Sequence, residues 1–573
     1  MRKYLHIDLS TKKIEIEQWE GEQLAHAGRY YIAKTMVERK LADVDPLSPE
    51  NPLIFSVGPF AGTNFSNANR ISVGCKSPLT GGIKESNAGG NFAFALGQLE
   101  MAGLTLNGAS DDWVIIRIPK KGDITFEPAN EYLGKGLMET SSMLREKYGP
   151  KVSLGICSPV GEYGGLIAGI AFTDPEGRPV RISARGGVGA VMGSKKVKAI
   201  VADQVKMPSF SDRKSLMGKI RKYTQLLGED AAIQSLSDRG TALVADITNL
   251  TGGLPVHNFR EGQLVDPSIG TLKMGGDFIR DRNIERGGQT THACMPGCMI
   301  KCSNIYADEE GHEMVSPMEY ETIGLLGTNC GLTDPDELAV LNADANDLGI
   351  DTIETGATFG LMMDSGLAKF GDMTFMIEGL KDIRKGNERG RLLAQGTARV
   401  GEHFNAQRIP VIKKQAISAY DPRVMEVTCI SMMTTAQGAD HTTGNMPSYT
   451  GGEHSTSELV ELSMDTQVNC AAGDSIGICV FGRSVTNNNH QLIIDALNDA
   501  LGTKLKSNFL RILGRKTLRL EDEFNIAAGF TDDDDELPDF FYQEALPPTN
   551  NKARHHTAEV NKFREEWLAQ AEA

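Results

Sequence analysis

The run Ala293-Cys294-Met295-Pro296-Gly297-Cys298-Met299-Ile300-Lys301-Cys302 constrains this chain more than any other stretch. Its cysteines recur every fourth residue, a spacing that would stack them on one face of a helix. Pro296 and Gly297 argue against that helix, because in a helix interior proline costs about 3 kcal/mol and glycine about 1 kcal/mol. The spacing predicts a loop that turns three thiols inward, a geometry suited to soft metals. Iron–sulfur clusters take four thiolates, and a compact triplet with one remote cysteine is one arrangement. Zinc is the other metal candidate. On the triplet alone, a cluster, a zinc site and inert buried thiols all stay open.

There are nine cysteines. The opening MRKYLHIDLSTKK lacks the apolar run of a signal peptide. No run of about 18 apolar residues is found, so no membrane span is predicted. A reducing cytoplasm is therefore expected, where thiols bind metal more often than they form disulfides. Cys75 in RISVGCKS and Cys157 in VSLGICSP read as core residues, while Cys330 and Cys429 have no partner motif. Cys470, in helical NCAAG, and Cys479, after the turn-like GDSIGIC, compete for the place of a fourth ligand. The residues alone do not choose between them.

A chain of 573 residues exceeds one hydrophobic core, and about three domains are expected. With 40% hydrophobic and 23% charged residues it is globular. Its net charge of −16 argues against nonspecific nucleic-acid binding, which requires basic surface. The first 210 residues read as β-rich: YLHIDLSTKKIEIEQW alternates like a hairpin, and LIFSV, WVIIRI, VSLGIC and VKAIVAD are strand-like. Helical spacing takes over in 211–417 and continues through 418–573, so the fold class is α+β, a β-rich N-terminal domain followed by two mainly helical ones. The tail DDDDELPDFFYQEALPP reads as an acidic surface stretch.

Two glycine-rich stretches read as loops entering helices. In SPLTGGIKESNAGGNFAFALGQLEMAG, Asn87 is a candidate N-cap, Gly89 and Gly90 bring backbone close to a ligand, and Gly103 closes the helix. RISARGGVGAVMGSKK repeats the theme with Arg181, Arg185, Lys195 and Lys196 around it. Helix N-termini bind phosphate, and two basic sites of this kind fit a large polyanionic cofactor, although glycine pairs often mark mere turns. Two hexapeptides, Asn346–Asp351 and Asp474–Cys479, share the pattern [D/N]-x-x-G-I-[D/C]. Each glycine is placed to end a helix in the left-handed conformation and leave carboxylates facing a ligand with paired N–H groups, such as a pterin ring.

Taken together and in order, GPFAGT, KSPLTGG, SNAGGNF, ARGGVGAVMGSKKVKAI, PMEYETIG, NDLGIDTIETG, AYDPR and GDSIGIC resemble the tungsten- and molybdenum-containing aldehyde:ferredoxin oxidoreductases over nearly the whole chain. The resemblance implies a tungsten (or molybdenum) ion chelated by two pterin dithiolenes, magnesium bridging their phosphates, and a [4Fe-4S] cluster beside one pterin. It makes the β-rich N-terminal domain pterin-binding. It implies Cys294, Cys298, Cys302 and Cys479 as cluster ligands, and Arg70 as the arginine between cluster and pterin. It places Asn346, Gly349, Asp351, Asp474, Gly477 and Ile478 in two pterin-recognition turns. Asn87 and a backbone carbonyl near Ser183 or Ala184 fall in the magnesium and phosphate region, with Gly89, Arg181 and Arg185 nearby. Glu321 and His441 match an acid–base pair near the metal. Judged without the resemblance, His441 reads as a surface or capping histidine and Glu321 as an ordinary ion-pair partner.

The chain departs from the family pattern in four places. The first cysteine gap holds three residues instead of two, and Asn346 stands where an aspartate is usual. The Glu-x-x-His of a dimer-bridging iron is missing from ELAVLNAD, and the usual C-terminal ending is absent. An oligomer without a bridging iron, and electron transfer to ferredoxin or an iron–sulfur subunit, are therefore expected. The implied reaction is oxidation of a small-molecule aldehyde to a carboxylic acid, or the reverse. Two rivals remain: a tungstoenzyme reducing an aromatic acyl-CoA, and a non-catalytic electron-transfer paralogue.

Overall fold

The computed structural model describes residues 1–570. Twelve strands, some alternating and some buried on both faces, precede residue 204. They are β1 (Arg2–Asp8), β2 (Lys13–Trp19), β3 (Leu53–Val57), β4 (Ile71–Lys76), β5 (Ile83–Ala88), β6 (Met101–Asn107), β7 (Val114–Ile118), β8 (Thr125–Pro128), β9 (Val152–Cys157), β10 (Ile170–Phe172), β11 (Arg181–Ser183) and β12 (Val197–Asp203). They form two six-stranded sheets, ordered β2-β1-β6-β3-β4-β5 and β11-β10-β9-β12-β7-β8. Each sheet is antiparallel except for one central parallel pair, β1 with β6 and β12 with β7. The β1–β2 hairpin expected from alternation is present. Both sheets and the helices α2 (Phe92–Gln98) and α3 (Val188–Ser194) share one core, in which Phe92 meets Phe55 and Phe172. α1 (Gly28–Glu38) covers the other face of the first sheet.

The rest of the chain is mainly helical around a second, larger core. The elements that reach the site are α4 (Arg213–Glu229), α5 (Pro335–Leu348), α6 (Thr352–Asp364), α7 (Glu426–Thr434) and α8 (Thr456–Ile476). A three-stranded sheet, β13 (Gln289–His292), β14 (Ser303–Ala307) and β15 (Glu313–Val315), pins the ends of the cysteine loop between β13 and β14. Among the described residues no helix is long and apolar enough to cross a membrane.

Several expectations are corrected. Asn87 caps no helix: it lies within β5, paired with Ser72, because Ile83–Ala88 pairs along β4 and completes the edge of the first sheet, and Asn91 precedes α2 instead. Gly103 does not close a helix but sits in β6, where a Cβ would strike Phe55 O at 2.2 Å. Lys195 and Lys196 point away from the glycine turn, donating to the carbonyls of Gly108 and Asp111. The acidic tail is only half a surface stretch. Asp532–Asp534 are exposed, but Asp535 is half-buried, Phe540 and Phe541 are buried, and Phe541 packs edge-on against Phe259 at 5.5 Å.

Candidate functional site

The cysteine loop has no regular structure, as Pro296 and Gly297 require. Gly297 adopts a φ of +77° with its α-carbon against Asn64, where a Cβ would come within 3.0 Å. The 60–70 segment clamps the loop from one side. Met299 N donates to Ser66 Oγ (2.9 Å) and Asn69 Nδ2 to Pro296 O (3.3 Å). From the other side Gly90 N donates to Cys294 O (3.0 Å). Gly89 fits against the same cysteine, with no room for a Cβ beyond 3.0 Å from Cys294 Sγ.

Cys294, Cys298, Cys302 and Cys479 line one cavity. Cys470 does not line it; the helix α8 carries it onto a small crevice behind. Cys75, Cys157, Cys330 and Cys429 are buried elsewhere. Burial, with the neighbouring Cys298 next, pushes the Cys294 thiol up to about 12. Burial also pushes Cys298 up, and Cys302 well above the ordinary thiol range. Thiols crowded this way ionise only when a cation offsets the burial, which is what an iron cluster provides.

Arg70 bridges this end to the sheet. Its Nε donates to Asn87 Oδ1, and its Nη1 reaches Cys479 Sγ at 3.9 Å. The backbone on either side is held too: Arg70 N donates to Gly477 O (3.3 Å) and Cys479 N to Asn67 O (2.8 Å).

The two similar hexapeptides are two helix ends. Gly349 ends α5 at φ +63° and Gly477 ends α8 at φ +74°, both left-handed, which only glycine adopts without strain. Asp351 then caps α6, accepting from Ile353 N (2.9 Å) with one oxygen and from Arg185 Nε (3.0 Å) with the other. Asp474 accepts from Arg29 Nη1 (3.3 Å), and burial lifts it to about 6 against the pull of Arg29 and Arg70. The second turn packs so tightly that a Cβ on Gly58 would lie 1.9 Å from Ile476 O, which accounts for the glycine of GPFAGT.

Arg181, Ala184, Arg185, Asn346, Asp351, Asp474, Arg70, Asn87 and Gly89 join the four cysteines on the wall of the large cavity. Gly349 and Gly477 shape its turns without lining it, and Ile478 lines the small crevice. Ser183 lies behind the wall, its hydroxyl donating to Ser86 O (3.0 Å).

A second chamber meets the first at Glu319, Glu321, His441, Thr442, Val480 and Phe481. Glu321 Oε2 accepts from Ala419 N (2.9 Å), and Oε1 lies 3.3 Å from His441 Nε2. His441 Nδ1 meets Ser418 Oγ at 3.0 Å, which fixes its ring. Burial raises the Glu321 carboxyl above its usual range, with His441 opposing. His441 is thus neither a surface nor a capping residue: Asp440 holds that capping position, accepting from Thr442 N (3.0 Å).

Four carboxylates went unsuspected in the sequence. Glu319 faces both chambers and accepts from Thr241; burial raises its carboxyl. Glu85 is lifted by burial, then by Asp474, to about 8. Asp440 pairs with buried Lys84 at 2.5 Å, and Lys84, Arg185 and His441 together outweigh burial and hold it low. Glu354 accepts from Ala416 N (2.5 Å) and Thr397 N (2.9 Å) behind Arg185. Their only sequence signal was adjacency to named residues, as in MEYET and GADH.

The family model described as aldehyde ferredoxin oxidoreductase, N-terminal domain, matches residues 4–204, and the model for domains 2 and 3 of the same family matches 219–571. A tungsten-containing aldehyde ferredoxin oxidoreductase of Pyrococcus furiosus is 30% identical over 591 residues, covering 98% of this chain and 94% of that protein. Its counterpart in Pyrococcus horikoshii is 30% identical over 586 residues, covering 96% and 93%. Among solved structures, the BamBC active-site complex of benzoyl coenzyme A reductase with 1,5-dienoyl-CoA shares the fold. Its TM-score is 0.81 at 17% identity, covering 100% of this chain and 95% of that one.

Proposed function

Because the chain belongs to the aldehyde ferredoxin oxidoreductase family, we propose that it is a tungsten- or molybdenum-pterin enzyme that interconverts aldehydes and carboxylic acids. Its electrons pass through a [4Fe-4S] cluster to ferredoxin or an iron–sulfur subunit. The observation that carries this reading is the junction of the two chambers. There Glu321 and His441 stand 3.3 Å apart, on the wall of the cavity that the four thiols line.

The donor set fits the cofactors. Cys294, Cys298, Cys302 and Cys479 would hold the cluster, as a soft thiolate set does. Asp351 and Asp474, with Arg70, Arg181, Arg185 and Asn346, would hold the pterins, and Asn87 with the carbonyl region of Ala184 the magnesium. When bound, the metal supplies two-electron redox chemistry and the cluster single-electron transfer.

The chain's own residues supply the proton chemistry. Aldehyde plus water gives acid, two protons and two electrons. His441, whose ring Ser418 orients, donates a hydrogen bond to the carbonyl oxygen from Nε2. Glu321, whose proton affinity burial raises above that of an ordinary carboxyl, accepts a proton from the attacking water. Tyr320, Tyr420 and Val244 wall the second chamber, where an aldehyde side chain fits.

Metal analysis of the purified protein, with aldehyde and benzoyl-CoA assays coupled to a dye, tests the proposal. About four irons and one tungsten or molybdenum per chain, with aldehyde-dependent dye reduction, are expected. Zinc alone would sink it, and turnover with benzoyl-CoA alone would transfer the fold to that other reaction.

A further inference from the structure

The cysteine loop lies just under the surface, and one basic helix covers it. α4 turns Leu216, Ile220, Tyr223 and Leu227 inward, into the same apolar cluster as Met295, Cys298, Ile300 and Cys479. Tyr223 reaches deepest. Its ring centroid is 4.9 Å from that of Phe65, and its hydroxyl meets Thr486 Oγ1 at 2.7 Å, beside Gly482.

The outer face of α4 has the opposite character. Arg213, Lys214, Arg221 and Lys222 are all exposed, and among the described residues none of these four is in an ion pair. Lys219, the remaining cation, lies 3.5 Å from Asp499. The helix RKSLMGKIRKYTQLLGE holds five basic residues and one acidic residue, Glu229 at its far end, in a chain of net charge −16. Asp212 is the acid at its N-terminus, where it caps the helix.

The fold gains nothing from this arrangement. Arg213 and Lys214 occupy the first turn, where the helix dipole disfavours cations by about 0.3–1 kcal/mol each. Gly218, with open space around it, costs about 1 kcal/mol in a helix interior. The cysteine loop, whose Met295, Cys298 and Ile300 pack with the inner face of α4, also puts Met299 into solvent, 45% exposed, close in sequence to exposed Lys301. An apolar residue amid unpaired cations is the pattern of a charge-steered contact.

We propose that the outer face of α4, with Met299 and Lys301, is the docking surface for an acidic iron–sulfur electron carrier. The inference rests on the electron-transfer reading of the four cysteines. A carrier seated here is separated from those thiols by about one helix diameter, roughly 10–12 Å. Its negative charge complements the unpaired cations of this face.

The test compares the holoenzyme with its K214E/R221E/K222E variant, using a purified acidic [4Fe-4S] ferredoxin as the probe. Binding is measured by calorimetry at low and high salt, and turnover with the ferredoxin and with a small viologen dye. Wild-type binding is expected to weaken with salt, and the variant to bind at least about tenfold more weakly. Dye turnover is expected to stay unchanged, which shows that the variant is folded. Equal ferredoxin affinity in the two proteins would overturn the proposal. So would sedimentation showing that the variant falls apart into monomers, since the face would then belong to a second copy. Binding needs no turnover, so an enzyme inert toward every aldehyde would defeat the proposed reaction while the affinities still decide the surface.

Discussion

Glu321 Oε1 lies 3.3 Å from His441 Nε2, yet that buried oxygen accepts no hydrogen bond. The other oxygen is fully engaged by Ala419 N at 2.9 Å. The pair stands where the two chambers meet, the place where proton transfer would need it.

The substitution Glu321→Gln is therefore expected to lower aldehyde turnover by about 10²–10⁴-fold, the usual contribution of a positioned acid or base. Metal content should not change. Because burial raises the folded-state proton affinity of Glu321, its contribution to stability is present below the ordinary carboxylate range and lost as pH rises through the raised value. The glutamine variant should thus match the native protein in acid and melt no lower at neutral pH. Thermal melts at two pH values check the sign, and a variant that melts lower only at neutral pH would contradict it.

Cys479→Ser should remove the reduced-cluster signal in electron paramagnetic resonance and lower the iron content, whereas Cys470→Ser should leave both intact. Only Cys479 faces the cavity of the other three thiols. The reverse result would reassign the fourth ligand.

Gly89→Ala should disturb the cluster without disturbing the sheet. The new Cβ would sit 3.0 Å from Cys294 Sγ, so the loop must shift. Overpacking of this kind costs about 1–3 kcal/mol. Iron per chain, determined after desalting, should fall below that of the native protein.

Gly477→Ala should cost more. A Cβ there faces Gly58 N at 3.1 Å and Cα at 3.2 Å, backbone that cannot turn aside. The left-handed φ adds about 1–2 kcal/mol. A lower melting temperature together with loss of both cluster and pterin is expected, because the turn carries Asp474 on one side and Cys479 on the other.

What the sequence made legible was local. Pro296-Gly297 excluded a helix through the cysteines, and two glycines followed by isoleucine marked two left-handed helix ends. What stayed hidden depended on pairing across the fold. Asn87 looked like a cap because polar residues before glycines often are, yet its strand is recruited by β4. Lys84 and Asp440 are 356 positions apart, and nothing local predicts their contact. Phe540 and Phe541 follow four aspartates, but Arg423 and Phe259 draw Phe541 into the core. Glu321 and His441 became visible only through family likeness, since neither has a spacing of its own.

The large cavity takes its wall from Arg70, Arg185, Cys294, Asp351, His441 and Cys479, which span most of the chain. No fragment of the protein owns it. On the proposed function, cofactor loading follows synthesis: until residue 479 has left the ribosome, no complete wall exists to receive iron or pterin. The protein without its cofactors should then be cut by protease more readily along the seam between the N-terminal sheets and the helical half than the loaded one.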